Sequence, residues 1–158
     1  TACDNAIQNT TAKGFRLPTS TEWEYAARYR GTDSVNAVAG SDGTYYTKGN
    51  SASGDTQAYN AAAPTVGNYA VYYENSGSST AAVKSKGTAG ANALGLYDMS
   101  GNVYECCFDW NPEYVGVFRV IRSGCFCYAA DLLQVGGVYD HRPYIESFVI
   151  GFRICRSR

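Results

Sequence analysis

Charge is scarce in this chain. Only 17% of its 158 residues are Asp, Glu, Lys or Arg, and 13 basic against 14 acidic side chains leave a net charge of −1. Such a surface offers no electrostatic footprint for nucleic acid or an anionic membrane. Long apolar runs are missing too, since none reaches the roughly 18 residues that mark a bilayer-spanning helix. The first residues, TACDNAIQNTT, carry neither a basic nor an apolar stretch. They show no secretion signal and read as the start of a processed or truncated piece. No CxxC pair occurs among the six cysteines, which argues against a zinc ribbon or a thioredoxin-type motif. Histidine is reduced to His141, with no evident partner, which argues against a Cys–His nucleophile.

Tyrosine (14) and glycine (17) are abundant instead, which suits a loop-rich, weakly helical fold or a contact surface. Tyr supplies large amphipathic area at low entropic cost. The length fits one domain, residues 1–158, with a real core. The cysteines are Cys3, Cys106, Cys107, Cys125, Cys127 and Cys155. Adjacent and CxC cysteines seldom bridge to each other, so at most one disulfide is expected, involving Cys107 or Cys155. The cysteines leave the compartment open.

Residues 2–10 read as the tail of a short helix, with Ala2, Cys3, Ala6 and Ile7 on one face. Pro18 biases Leu17 towards extended backbone. Thr19 and Glu22 then form a capping box. Trp23, Ala26, Ala27 and Arg30 recur at helical spacing, so Trp23 and the alanines face the core, and Gly31 stops the helix. Residues 31–93 are long and poor in period, with turns at Ser41-Asp42-Gly43, Gly49-Asn50 and Ser76-Gly77. Their apolar anchors are Tyr45-Tyr46 and residues 69–73, frequent enough to argue against disorder. Leu94 and Leu96 read as buried. The Ser100-Gly101-Asn102 turn places Asp98 and Glu105 at either end of a bend, a pattern for turn stabilisation or for a hard cation.

Residues 119–154 pair strand-like ends (Val120, Ile121; Ile150, Phe152, Ile154) with a middle that follows neither a period of two nor one of 3.6. Strong ends around an unpatterned aromatic middle suggest a contact surface more than an irregular core.

Five runs, in order, resemble the formylglycine-generating enzyme (sulfatase-modifying factor) family: FRLPTSTEWEYAAR (15–28), NALGLYDMSGNV (92–103), FDW (108–110), RVIR (119–122) and IGFR (150–153). The resemblance implies an α+β, C-type-lectin-like fold, loop-rich and low in regular structure, in a domain that begins before this chain does. It implies a structural calcium ion held by the side chains of Asp98 and Glu105 and the carbonyls of Gly101 and Val103, with no other cofactor required. The family's catalytic cysteine pair, aligned on Arg122 and Gly124, falls at Tyr128 and Leu133. Copper(I) would want thiolates there, so formylglycine-generating activity is not expected and no catalytic residue is assigned.

The departures cluster in residues 104–154, and the run from Cys127 to Val149 is similar to the variable proteins of diversity-generating retroelements. In that branch, adenine-directed mutagenesis of asparagine codons cannot yield Lys, Glu, Gln, Met or Trp. From Val120 to Arg158 there is no Lys, Met or Trp, and Gln134 and Glu146 would be fixed positions. The resemblance implies a displayed binding face built from Tyr104, Cys106, Val115, Val117, Phe118, Ser123, Cys125, Cys127 and Tyr128. It continues with Tyr139, Asp140, His141, Tyr144, Ile145, Ser147, Phe148 and Val149. It further implies a spirochaete outer-membrane lipoprotein at the cell surface, anchored outside this chain, whose partner is a protein or cell-surface ligand. Two alternatives remain open: an oxidase acting on a cysteine, and a purely structural surface module.

Overall fold

The structure is a computed structural model that describes Ile7, Asn9, Thr11 and residues 13–156. The elements in order are β1 (Phe15–Arg16), α1 (Ser20–Arg28), β2 (Tyr29–Gly31), β3 (Val38–Ala39) and β4 (Tyr45–Tyr46). Then follow β5 (Tyr104–Trp110), β6 (Arg119–Arg122), β7 (Tyr139–His141), β8 (Ile150–Gly151) and β9 (Cys155–Arg156). They form three small sheets, ordered β1-β9, β2-β4-β3 and β7-β6-β5-β8. All pairings are antiparallel except β5 with β8.

The helix starts where the local signals place it. The Thr19 hydroxyl accepts from the Glu22 N–H at 3.2 Å, and Glu22 accepts from the Thr19 N–H at 2.8 Å. It ends at Arg28 rather than at Gly31, because Tyr29 turns extended and residues 29–31 pair with β4. Arg30 therefore lies on a strand, its guanidinium buried and donating to the Asp55 carbonyl at 3.2 Å. Trp23 and Ala27 are buried as the spacing requires, in a cluster with Met99, Cys107, Val120 and Val135. Truncating Trp23 in such a setting costs about 3–5 kcal/mol.

Three polar ties fix α1 against the central sheet. The Ser20 N–H donates to Asp109 at 2.6 Å, the Trp23 indole N–H donates to Glu105 at 2.6 Å, and Arg122 donates to Glu24 at 2.8 Å. Arg122 is itself buried, and its remaining donors reach the Ser20 hydroxyl and the carbonyls of Val135 and Gly137. A buried charge needs such saturation to be tolerated.

The segment between β4 and β5 is ordered by turns rather than by strands. Ala52, Val66, Ala70 and Leu133 bury together beneath Tyr69 and Tyr72. Gly101 bridges to Val71 with φ +77°, so close that a Cβ would collide with the Val71 carbonyl.

Several expectations need correction. Leu94 is 45% exposed, because residues 92–96 turn around the Asn92 side chain, which accepts from the N–H groups of Leu94 and Leu96. Phe152 and Ile154, read as core, are exposed at 69% and 56%. They lie between the short strands β8 and β9, where no second layer covers them. The helix expected over residues 2–10 falls largely outside the described residues. Ile7, within them, is exposed and non-helical. Cys107 and Cys155 are free thiols, Cys107 buried against the Trp23 cluster and Cys155 donating to the Arg16 carbonyl.

The Arg16 guanidinium pairs with Glu22 at 2.6 Å and, with Thr19, pulls the Glu22 carboxyl down from its ordinary 4.5 to about 2. A depressed folded-state value stabilises the fold fully above pH 4.5 and loses that contribution as pH falls towards 2. The pair is partly exposed, so screening holds the effect to under about 1 kcal/mol. Urea titrations at stepped pH should show Glu22→Gln removing part of the acid sensitivity between those values.

Candidate functional site

Side chains on β5 alternate across the sheet. Glu105, Cys107 and Asp109 turn towards α1, while Tyr104, Cys106 and Phe108 turn away from it. On β6, Val120 and Arg122 serve the helix side, and Arg119 and Ile121 the other. Among the described residues, the face turned from the helix carries no further layer of regular structure. It is an open groove of two adjoining hollows, about 630 Å³ and 570 Å³, which share Ile121, His141, Ser147 and Ile150.

The larger hollow is mostly apolar, walled by Leu17, Cys106, Phe108, Pro143, Ile145 and Phe152, with Arg119 and Glu146 among its polar groups. The smaller has an aromatic wall. Tyr104 is buried at its base and makes edge contacts with Tyr128 and Tyr139, ring centroids 6.1 and 5.4 Å apart. Burial pushes the Tyr104 phenol well above its usual pKa, so it stays neutral.

More than half of the expected binding face lines this groove: Tyr104, Cys106, Tyr128, Tyr139, Asp140, His141, Ile145, Ser147 and Val149. Tyr144 and Phe148 are exposed on the adjoining loop, Phe148 at 83%, its ring 6.3 Å from Phe126. Val115, Val117 and Phe118 stand on the β5–β6 loop outside the hollows. That loop is tied to the groove's edge where Asn111 donates to Asp140 at 2.8 Å and Arg142 stacks over Phe118.

Three of the expected positions are not displayed. Tyr104 is the base of the wall. Ser123 is buried, its hydroxyl donating to the Gly101 carbonyl at 3.0 Å. Its φ of +88° lies in the left-handed region that favours glycine. Cys125 is fully buried, with its sulfur 2.9 Å from that of half-buried Cys127. Burial pushes the Cys125 thiol up to about 12, so it is protonated at neutral pH.

Residues that the contact-surface reading missed include Leu17, Phe108, Arg119, Ile121, Pro143, Ile150 and Phe152. Alternation along β5 and β6 could have found Phe108, Arg119 and Ile121. Nothing local marks Leu17 or Phe152, which reach the groove through chain crossings. Glu146, a fixed position by the codon argument, stands in the groove among the others.

Several oxygens of the expected calcium set accept from protein donors in this structure. Arg153 donates to both oxygens of Glu105 at 2.6 Å and to the carbonyls of Tyr97 and Asp98 at 3.1 and 3.3 Å. Trp23 also donates to Glu105, and the Gly101 carbonyl accepts from Ser123. Asp98 accepts from the Lys84 N–H at 2.9 Å. A guanidinium thus engages both oxygens of Glu105, the one carboxylate of the expected set that is buried. Among the described residues, no three His, Cys, Asp or Glu side chains gather as a metal cluster.

The positions that would carry the oxidase's thiols hold other chemistry. Tyr128 presents a phenol, and Leu133 is buried with Ala52, Val66 and Ala70.

One short helix, small sheets and long ordered connections define an α+β fold of the C-type-lectin-like, formylglycine-generating-enzyme type. The chain belongs to the sulfatase-modifying factor enzyme 1-like domain family, which it matches over residues 3–158. Among solved structures it is similar to Treponema denticola variable protein 1, with a TM-score of 0.73 and 35% identity. That match covers 98% of this chain and 52% of the other. It is 38% identical over 166 residues to the chaperone protein LppX of Paenibacillus barcinonensis, covering 95% of this chain and 52% of that protein. It is 27% identical over 164 residues to the formylglycine-generating enzyme of Thermomonospora curvata, covering 98% and 48%. The chain thus spans about half the length of these relatives. No helix among the described residues is long and apolar enough to cross a membrane.

Two outcomes follow from the Glu105–Arg153 pair. Chelation with EDTA, or added calcium, should leave the melting temperature unchanged. Arg153→Ala, which strands a buried carboxylate, should cost about 3 kcal/mol in urea unfolding.

Proposed function

We propose that this chain is a non-catalytic ligand-binding module whose open sheet face is a variable recognition surface, diversified by a retroelement and displayed for contact with a protein or cell-surface ligand. The observation that carries this reading is the convergence of scattered positions, from Tyr104 to Val149, on one groove that the helix packing does not use. The groove's aromatic and aliphatic lining supplies the apolar area that dominates interface energetics. Exposed apolar side chains on this scale are a liability unless they meet a partner. Similarity to the Treponema denticola variable protein supports the same reading. Display would use a lipid anchor outside this chain, on an outer membrane.

The alternative is an oxidase acting on a cysteine, supported by the similarity to the Thermomonospora curvata enzyme. It lacks thiols at Tyr128 and Leu133, and Cys125 is too buried to leave an open position for substrate. Stoichiometric copper with turnover of a cysteine peptide would establish the oxidase and overturn our proposal.

Sequencing this locus across isolates tests the recognition surface directly. Differences should concentrate at exposed groove and rim positions such as Tyr128, Asp140, Tyr144, Ile145 and Phe148, and spare Trp23, Met99 and Val120. An even scatter along the chain would contradict it. A displayed surface must also be dispensable to the fold. Tyr144→Ser and Phe148→Ser should therefore each change unfolding free energy by no more than about 0.5 kcal/mol.

A further inference from the structure

Cys125, Phe126, Cys127 and Tyr128 form a turn closed by the Tyr128 N–H, which donates to the Cys125 carbonyl at 3.3 Å. The turn is fastened from outside. The Phe126 N–H donates to the Asn102 carbonyl at 2.9 Å, and the Tyr73 N–H donates to the Tyr128 carbonyl at 3.1 Å. At its start Gly124 has φ +72°, and a side chain there would run into the backbone of Leu132. Within this fixed frame the two sulfurs lie 2.9 Å apart, about 0.9 Å from the bonded distance of a disulfide.

Adjacent CxC cysteines seldom bridge, because an extended chain sends their side chains apart. This turn removes that obstacle. We propose that Cys125 and Cys127 are a redox-active pair that forms a reversible disulfide in the wall of the groove, with a small-molecule disulfide as the oxidant. Cys127 is the accessible member and reacts first. Its thiolate attacks one sulfur of the oxidant, forms a mixed disulfide and releases one thiol. The Cys125 sulfur then gives up its proton and attacks the Cys127 sulfur, which expels the second thiol. The protein loses two hydrogens and two electrons, and the oxidant gains them as two thiols. Burial, which keeps Cys125 protonated, gives it the resolving role and not the initiating one. A ring closed over a single intervening residue is strained, and strained disulfides are the readily reduced ones.

Cys127 directly precedes Tyr128, whose ring contacts Tyr104 in the smaller hollow, so the bond would set the aim of that wall. Bond formation itself does not depend on what the groove binds, so it can fail or succeed independently of the recognition reading.

The test uses the whole chain, reduced and then incubated with oxidised glutathione. Remaining thiols are alkylated and the peptides mapped by mass spectrometry. The expected product is a Cys125–Cys127 crosslink, lighter by two hydrogens and reversed by dithiothreitol. Cys125→Ser should stop at a glutathione adduct on Cys127, and Cys127→Ser should leave Cys125 unmodified. A stable glutathione adduct on Cys127 of the unmutated chain, a crosslink to Cys106, or alkylation of both thiols would overturn the proposal. The unmutated chain decides the matter even where a variant fails to fold.

Discussion

A buried carboxylate holds this molecule together. Glu105 sits near the start of the central sheet's long strand and accepts from Trp23 on the helix and from Arg153 near the C-terminal end. Desolvating that charge is tolerable because donors reach both of its oxygens. The requirement fixes several elements at once. The helix must place Trp23 over β5, and the chain must return after β8 to deliver Arg153. The bend at Asp98 must expose its carbonyl to the same guanidinium. The Ser20–Asp109 and Glu24–Arg122 ties then align the helix along the sheet.

That arrangement loads stability onto one face of a thin sheet. Trp23, Met99, Cys107 and Val120 pack on the helix side, and the other side is left with a floor of Tyr104, Ile121 and Cys125 under open loops. A scaffold with its ionic and hydrophobic anchors on one face can change residues on the other at little cost. Rigid framework and adaptable surface is the division of labour on which recognition loops rest. The floor itself is not free to vary. Tyr104, Ser123 and Cys125 are enclosed, and substitution there would be felt as packing before it was felt as binding.

The helix was legible in the sequence because its signals are local: Thr19 and Glu22 lie three residues apart, and Trp23 and Ala27 one turn apart. Its end was not, because Tyr29 pairs with Tyr46, a contact no window of sequence reveals. The groove was legible in part. The unpatterned run after Cys127 did mark exposed loops, but strands of two or three residues carry no period to read. Phe152 and Ile154 therefore passed for core. The expected calcium set shows what a window of sequence leaves out. Asp98, Gly101, Val103 and Glu105 have the right spacing, yet Arg153, far away in sequence, takes both carboxylate oxygens of Glu105. Hydrophobicity likewise could not tell that Leu94 would stay in solvent while Cys125 went under.

The central claim is that stability resides on the helix side of the sheet and freedom on the other. Saturation mutagenesis of the displayed chain, sorted by protease resistance, measures this at every position. The account predicts intolerance at Trp23, Glu105, Val120, Arg122 and Arg153, and broad tolerance at Tyr128, Asp140, Tyr144, Ile145 and Phe148. Equal intolerance on the two faces would contradict it.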